Sequence, residues 1–435
     1  MTILRALLGL AFFLGLGWLL SCDKKRINVR VIVGGLLIQL ALAILILKWD
    51  MGRAALDAFS GKVTQFLGFG EKGAKMVFGP LVGFFHDPSV AGQAPSELHW
   101  FASYPWHLGE GERKGVEIAF AFKALPTIIY FSAVMAILYY LGIMQRVIAV
   151  MARFMTWSMR VSGAESLAMA ANVFVGQTEA PLVVRPYIPR MTRSELMALM
   201  TGGFATIAGS VLAVYIGLLG PDYAGHLLAA SFMSAPAAFV MAKTMVPESE
   251  VSVTAGKVEV HMERTAVNVL DAAADGTSAG LKLYLNVLAM LIAFVAMVAL
   301  IDWGLSVFEP GGAPLTLARI FGWVFSPVAW AMGVAWDDCQ GFGTLLGTKI
   351  AVNEFVAFTE MSRMAAGEAM SERSMKMAAY ALCGFANFAS VGIQIGGISP
   401  LAPERRGDLS RLALRAMVGG ACASWMTATI AGMFL

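Results

Sequence analysis

Long runs of apolar residues alternate with short polar connections along most of the chain. A transmembrane helix needs roughly 20 apolar residues, and runs of about that length predict eight crossings. The predicted crossings lie at residues 4–21, 31–49, 124–144, 196–219, 226–243, 281–302, 377–399 and 409–434. The pattern therefore predicts an all-α polytopic membrane protein, and the even number of crossings places both termini on one side.

Two further apolar stretches carry an interruption near the middle. Residues 165–190 place GQTE between two arms of about half a span each, and Pro181 and Pro186 break the second arm. Residues 338–360 place several glycines ahead of KIAVNEFVAF. Each stretch is predicted to enter the membrane and turn back as a re-entrant hairpin, which is tolerated only where protein or a water-filled cavity covers the irregular backbone.

A crossing with a related centre follows each hairpin. GFATIAGS at 203–210 and GFANFASV at 384–391 agree at four of eight positions. Because glycine beside hydroxyl and amide side chains weakens a helix, we expect both crossings to unwind there. The unit of span, hairpin, broken span and span thus occurs twice, and an odd number of crossings between the copies inverts the second. Inverted repeats with discontinuous helices are typical of secondary transporters, which bind their substrate at the repeat interface.

The basic residues orient the crossings. The loop after the first crossing, SCDKKRINVR, and the loop before the last both carry clusters of Lys and Arg, which favours the cytoplasmic side for both. We therefore expect an integral protein of the cytoplasmic (inner) membrane with both termini periplasmic. Arg363, Arg373 and Lys376 disagree with this orientation, but four other loops support it. The net charge of +3 is dispersed over 435 residues, which excludes the basic footprint of a nucleic-acid-binding protein.

The hairpin tips carry the carboxylates Glu179 and Glu354 inside apolar sequence. A charge in a membrane segment costs a few kcal/mol or more, at least about 2.5, so both should have partners or line a polar cavity. They could instead be structural, bonded to the backbone amides of their own hairpins. An embedded enzyme would use them as acid and base, but no nucleophile, metal cluster or phosphate loop lies near, so we expect no enzyme. A channel would require a continuous pore.

Four segments, in order along the chain, closely resemble the concentrative nucleoside transporters. They are GQTEAPLVVRPYIPRMTRSELMALMTGGFATIAGSVLAVYIGLLG, NVLDAAADGTSAGLKLYLNVLAML, KIAVNEFVAF and YALCGFANFASVGIQIGGISPLAPERRGDLSRLALRAMVGG. The resemblance is weakest in residues 50–123. It implies a homotrimer in the lipid bilayer, in which a scaffold holds mobile transport domains. On this basis the scaffold comprises 1–143 and 244–303, and the two repeats of the transport domain comprise 144–243 and 304–435.

The resemblance also implies roles for individual residues. Contacts to the nucleobase would come from Gln177, Thr178 and Glu179, and apolar contacts from Val211, Leu281 and Phe385, although helix packing alone would also explain these last three. Contacts to the ribose would come from Glu354, Asn387 and Ser390. A sodium ion, which prefers oxygen ligands, would be held by Asn172, Val175, Thr206 and Ile207.

The expected activity is therefore sodium-coupled symport of nucleosides such as uridine into the cell by alternating access, with sodium as coupling ion and no other cofactor. The nearest alternative is proton coupling through Glu179 or Glu354. Proton-coupled members of the wider family depart from GQTEAPL, which this chain retains.

Overall fold

The computed structural model describes residues 2–78, 122, 125–256, 266–310, 312 and 314–435. Helices account for 79% of the structure, and the described residues contain no strand. The all-α class expected from the sequence is therefore confirmed. Residues 79–121, which include the histidines His86, His99 and His107, lie outside the described residues.

Three helices open the chain. They are α1 (Thr2–Leu19), α2 (Val29–Ala43), which a π-helical turn extends over Ile44–Lys48, and α3 (Asp50–Phe78). The first two coincide with predicted crossings. The third is a helix of 29 residues within 50–123, where the sequence predicted no crossing.

Helices α4 (Thr127–Tyr140) and α5 (Ile143–Met159) are bent by 79° relative to each other. The bend falls at Gly142, whose φ of 76° lies in the left-handed region that favours glycine. Helix α5 buries one side chain per turn, including Met144, Ile148 and Ala152, and exposes the opposite face. Helix α5 is thus amphipathic and runs in a different direction from α4. The crossing predicted at 124–144 therefore ends at residue 140.

The two predicted hairpins are pairs of helices separated by non-helical tips. The first consists of α6 (Gly163–Asn172) and the four-residue α7 (Ala180–Val183). Pro181 lies in the first turn of this helix, where its missing N–H is tolerated, whereas Pro186 lacks the backbone donor that a longer second arm would need.

Both predicted breaks in the following crossings are confirmed. Helix α8 (Arg193–Ala205) ends before α9 (Gly209–Leu219) begins, and α10 (Ala224–Met245) and α11 (Val269–Leu305) follow. Helix α11 begins at Val269, twelve residues ahead of the sixth predicted crossing at 281–302.

One apolar helix, α12 (Leu317–Ala331), was not predicted. Its 15 residues span about 22 Å, which is less than the roughly 30 Å of a bilayer core. A criterion based on the length of a transmembrane span therefore does not detect it. It precedes the second hairpin as α5 precedes the first, so the repeated unit contains one more helix than the sequence indicated.

The second half closes with the second hairpin, the second broken helix and a long helix. These elements are α13 (Cys339–Ala351), α14 (Glu354–Ala366), α15 (Glu372–Leu382), α16 (Phe388–Ile398) and α17 (Arg406–Ala431). Helices α8, α10 and α17 are buried along most of their length and form the centre of the molecule.

Among the described residues, four helices are long and apolar enough to cross a membrane by themselves, or five if the bent pair counts as one span. They are Val29–Lys48, Arg193–Leu219, Pro221–Met245 and Val269–Leu305. The count of eight crossings therefore stays a prediction, although a helix or a broken helix lies at each of the eight positions.

Helix α11 contacts the rest of the molecule through a narrow stripe of small residues. Its buried residues include Gly276 and Gly280, and a Cβ atom at these positions would lie 2.6 Å from the carbonyl oxygen of Ser132 and 2.7 Å from Cα of Ile129. Small residues at such a stripe let two helix backbones approach closely in a membrane. The first half of α11 also exposes polar side chains such as Asp275 and Lys282, whereas the exposed surface over 287–301 is apolar, as expected for a face that contacts lipid or a neighbouring subunit.

The two helix breaks lie against each other. Gly384, in the second break, has a φ of 147°, which only glycine adopts easily. A Cβ atom at Gly384 would lie 2.7 Å from the carbonyl oxygen of Phe204 in the first broken helix. The contact between the two helix breaks therefore requires glycine at position 384.

We expect Gly384→Ala to lower the free energy of unfolding by about 1–3 kcal/mol, because the new Cβ atom strains the backbone and meets the carbonyl of Phe204. Thermal unfolding of the purified protein in detergent measures the effect. The matched control is Gly392→Ala on the exposed face of α16, where the added Cβ atom meets nothing within 4 Å among the described residues. Equal melting temperatures for the two variants would contradict this account.

Candidate functional site

The second hairpin tip places a buried carboxylate against the second helix break. The Oε2 atom of Glu354 accepts a hydrogen bond of 2.9 Å from Nδ2 of Asn387, and Oε1 accepts one of 3.1 Å from the hydroxyl of Tyr215 on α9. Only 6% of Glu354 is exposed. The carboxylate is thus held by donors from both halves of the chain and keeps lone pairs for a further partner.

Helix capping determines where these side chains stand. Asn387 is the N-cap of α16, where its Oδ1 accepts 2.8 Å from the amide of Ser390. Asn353 caps α14 in the same way, accepting 2.8 Å from the amide of Val356. Asparagine is favoured at an N-cap because its oxygen satisfies an otherwise unpaired helix N–H group. Two helix N-termini therefore begin at this cluster, and their partial positive charge favours oxygen-rich groups.

The first hairpin tip joins the same cluster through Gln177. Its Nε2 donates 3.2 Å to Oγ of Ser390, which itself is only 3% exposed. Hydrogen bonds thus link the first tip, the second break and the second tip in the order Gln177, Ser390, Asn387 and Glu354. The structure brings four of the predicted binding residues together, and Gln177 lies more than 170 residues along the chain from the other three.

Thr178 and Glu179 occupy the outer side of the first tip. Thr178 packs on α16, where a Cβ atom at Gly397 would lie 2.9 Å from its methyl group. Glu179 is exposed and turns its carboxylate back over Gly176, where a Cβ atom would overlap it. Glu179 therefore folds back on its own hairpin, whereas Glu354 is held by Tyr215 and Asn387 from other elements.

The three predicted apolar contacts differ in burial. Val211 is 4% exposed near the start of α9, and Phe385 is half-buried in the second break. Leu281, on α11, is 45% exposed. Val211 and Phe385 therefore flank the two breaks, whereas Leu281 is the least enclosed of the set.

The residues of the predicted sodium site surround the first break. Asn172 ends α6 and is 1% exposed, yet neither its Oδ1 nor its Nδ2 has a hydrogen-bond partner among the described residues. Thr206 is buried at the break and donates 2.9 Å to the carbonyl of Gly202, which leaves its oxygen lone pairs available. Val175 and Ile207 lie outside regular helix, where backbone carbonyls lack intrahelical partners.

This donor set fits a monovalent cation. An unpaired buried amide costs about 1–3 kcal/mol, so the oxygen of Asn172 needs a partner, and the described residues do not supply one. Neutral amide, hydroxyl and carbonyl oxygens are ligands for a hard cation such as Na+. The hairpin and the break are tied together beside this point, because the amide of Gly209 donates 3.0 Å to the carbonyl of Phe174.

Sequence reasoning missed three buried residues that support the site. Tyr215 stacks its ring on Phe358, 4.1 Å between centroids, while its hydroxyl reaches Glu354. Lys349 is fully buried and donates 2.8 Å to each of the carbonyl of Ala381 and the hydroxyl of Ser424. Gln394 bonds Gln177 directly. A lysine within the apolar arm KIAVNEF was a detectable signal, since intramembrane charges are functional by default.

Comparison with known protein families covers nearly the whole chain. Residues 8–81 match the model of the Na+ dependent nucleoside transporter N-terminus, residues 121–222 match a nucleoside recognition Gate domain, and residues 226–432 match the Na+ dependent nucleoside transporter C-terminus. The three matches follow one another along the chain without overlap.

Curated relatives agree with these matches. An uncharacterized transporter of Haemophilus influenzae is 43% identical over all of this chain and 98% of its own length. Solute carrier family 28 member 3 of Mus musculus is 40% identical, and sodium/nucleoside cotransporter 1 of Rattus norvegicus is 38% identical, each over 98% of this chain. The chain spans only 58% and 63% of these two mammalian proteins.

Solved structures show the same fold. CNTnw in an inward-facing substrate-bound state is 40% identical and superposes with a TM-score of 0.87, over 100% of this chain and 98% of that chain. A doubly substituted CNTnw in an outward-facing state gives a TM-score of 0.88 with the same identity and the same coverage.

We expect Asn172→Leu to have opposite effects with and without sodium. In sodium-free buffer the variant should melt at the same or a higher temperature than the wild type, because an isosteric apolar side chain removes two unpaired buried polar atoms. Added NaCl should raise the melting temperature of the wild type above that produced by choline chloride, whereas the variant should not distinguish the two salts. A sodium-specific rise that survives in the variant would exclude Asn172 as a ligand.

Proposed function

The chain belongs to the Na+ dependent nucleoside transporter family, and we propose that it is a secondary active transporter that brings nucleosides such as uridine into the cell together with sodium. The observation that carries the proposal is the hydrogen-bonded cluster in which Glu354, Asn387, Ser390 and Gln177 join both hairpin tips at the second helix break. Its relatives are transporters, and on this basis we assign the chain no enzymatic activity.

In the proposal, the ribose binds beside Glu354 and Asn387. Ribose hydroxyl groups are donors, and Glu354 accepts from Tyr215 and Asn387 while keeping further lone pairs. A deoxy analogue would leave these buried groups unpaired, and a polar site rejects such an analogue strongly. The nucleobase would extend towards Gln177, Thr178 and Glu179 at the first tip, with the apolar Val211, Phe385 and Leu281 at its faces.

Sodium binds, in the proposal, to Asn172, Val175, Thr206 and Ile207, and no other cofactor takes part. Its ligands come from the first hairpin and the first break, so ion binding would order the tip that carries Gln177. One Na+ entering down about 100 mV releases about 2.3 kcal/mol, and a tenfold concentration ratio adds about 1.4. The sum sustains a gradient of about a few hundredfold in a neutral solute, so a single ion suffices for accumulation.

Alternating access completes the proposal. The two repeats of the transport domain, 144–243 and 304–435, would move as a loaded unit across a scaffold formed by 1–143 and 244–303. The protein would be a homotrimer in the cytoplasmic (inner) membrane with periplasmic termini. The inward-facing and outward-facing states known for CNTnw support this mechanism by analogy.

Uptake of labelled uridine by transporter-deficient cells tests the function. We expect uptake to be concentrative in sodium, to fall to background when choline replaces sodium, and to change little with external pH. Uptake that ignores sodium and rises with acidity would instead support proton coupling through Glu179 or Glu354. Uptake that never exceeds the external concentration would contradict symport altogether.

We expect Glu354→Gln to weaken uridine binding by about two orders of magnitude, because the charged acceptor for the ribose hydroxyls is lost. Binding of labelled uridine to the purified protein measures the effect. Glu360→Gln on the same helix is the matched control, since its carboxylate is partly exposed and pairs with Arg363 at 3.6 Å. Unchanged uridine affinity in a folded Glu354→Gln variant would remove Glu354 from the ribose site.

A further inference from the structure

Gln394 is a fully buried glutamine on α16 to which the proposed function gives no role. Its Nε2 donates 3.0 Å to the carbonyl of Met200 on α8 and 3.1 Å to Oε1 of Gln177 at the first tip. A Cβ atom at Gly203 would lie 2.6 Å from this nitrogen and 2.9 Å from Cβ of Gln177. The side chain of Gln394 therefore crosses over Gly203 of the first broken helix, where no side chain obstructs it, and reaches Gln177 at the first hairpin tip.

The partners of Gln394 determine which way both amides point. The carbonyl of Met200 can only accept, so the atom of Gln394 that faces it must be the nitrogen. The second N–H of that nitrogen requires an acceptor, so Gln177 turns its Oε1 towards it. The Nε2 of Gln177 is then left to face Ser390, to which it donates 3.2 Å. The orientation of an amide that is ambiguous by itself is thus fixed by one backbone carbonyl.

We propose that Gln394 is a specificity-determining positioning residue, which anchors on the carbonyl of Met200 and thereby makes Gln177 present an N–H donor to the nucleobase. This inference rests on the proposed function. One hydrogen of the Gln177 amide is used by Ser390, and the second remains for a ligand. The site therefore selects a base edge that carries a carbonyl oxygen over the same edge carrying an amino group.

Uridine and cytidine differ at such an edge, because uracil carries a carbonyl group at the position where cytosine carries an amino group. A carbonyl group pairs with the N–H of Gln177, whereas an amino group places two donors face to face and leaves both unpaired. A site built around such a hydrogen bond discriminates more strongly than an apolar pocket does. The wild type should accordingly bind uridine more tightly than cytidine.

Removal of the Gln394 amide should relax this selection. Only the hydroxyl of Ser390 would then orient Gln177, and a hydroxyl can donate or accept, so both amide orientations become available. Gln177 could turn its oxygen towards an amino group. In Gln394→Leu the preference for uridine over cytidine should fall about tenfold, the factor that corresponds to one neutral hydrogen bond.

The chain offers a matched control for the loss of a buried amide. Gln39 on α2 is also fully buried, and its Nε2 donates 3.0 Å to the carbonyl of Met233 and 3.2 Å to the hydroxyl of Thr427. Gln39→Leu removes the same kind of interaction without touching Gln177. It should leave the ratio of the two affinities at the wild-type value, even if it lowers stability.

The experiment measures displacement of labelled uridine by unlabelled uridine and by cytidine on the purified full-length protein in sodium buffer. Gln394→Met provides a second variant, because it removes the amide while keeping a side chain of similar length, and it should reproduce the change in ratio if Gln394→Leu does not fold. An unchanged ratio in both variants, an equal change in Gln39→Leu, or equal affinities in the wild type would overturn the proposal. Sodium-dependent binding with an unaltered ratio defeats only this inference, whereas absence of nucleoside binding by the wild type defeats the proposed function as well.

Discussion

Backbone groups freed by an interrupted helix must find partners inside the protein, because a bilayer supplies no water to them. Side chains meet this demand at both breaks. Asn387 caps the helix that restarts after the second break, Lys349 donates to the carbonyl of Ala381 before it, and the hydroxyl of Thr206 donates to the carbonyl of Gly202 in the last turn before the first break. The polar residues that form the candidate site are therefore also those that make the broken helices possible.

Because the same side chains serve the backbone and the candidate site, the fold itself positions the site. Glu354 and Gln177 are hydrogen-bonded to Asn387 and Ser390, which are themselves joined by the N-cap of α16. The positions of the two side chains therefore follow from the fold. Preorganised groups lose little freedom when a ligand binds, which favours affinity. Asn172 is the exception, since its buried amide has no partner in the described part of the chain. The proposed ion ligand thus differs from the proposed substrate ligands Glu354 and Gln177, whose hydrogen bonds to the protein are already made.

Close approach of the two breaks is the second requirement, and glycine provides it. Positions 203 and 384 have no side chain where the opposite element passes within 3 Å of the missing Cβ atom. These are the first residues of the related GFATIAGS and GFANFASV segments, so the repeat that was visible in the sequence has a steric function. Each of the two related segments contributes one glycine, Gly203 or Gly384, whose lack of a side chain permits the close contact.

The sequence by itself determined the helical class, the positions of the hairpins, both helix breaks and the polar residues at the tips, because apolar run length and glycine placement are local properties. It missed α12, which is too short for a span, and the amphipathic direction of α5. Only the tertiary structure decided that Glu354 meets Tyr215 and Asn387, that Glu179 turns to its own hairpin, and that Gln394 orients Gln177. These are contacts between residues up to 217 positions apart, and their geometry depends on packing between helices, which no local pattern encodes.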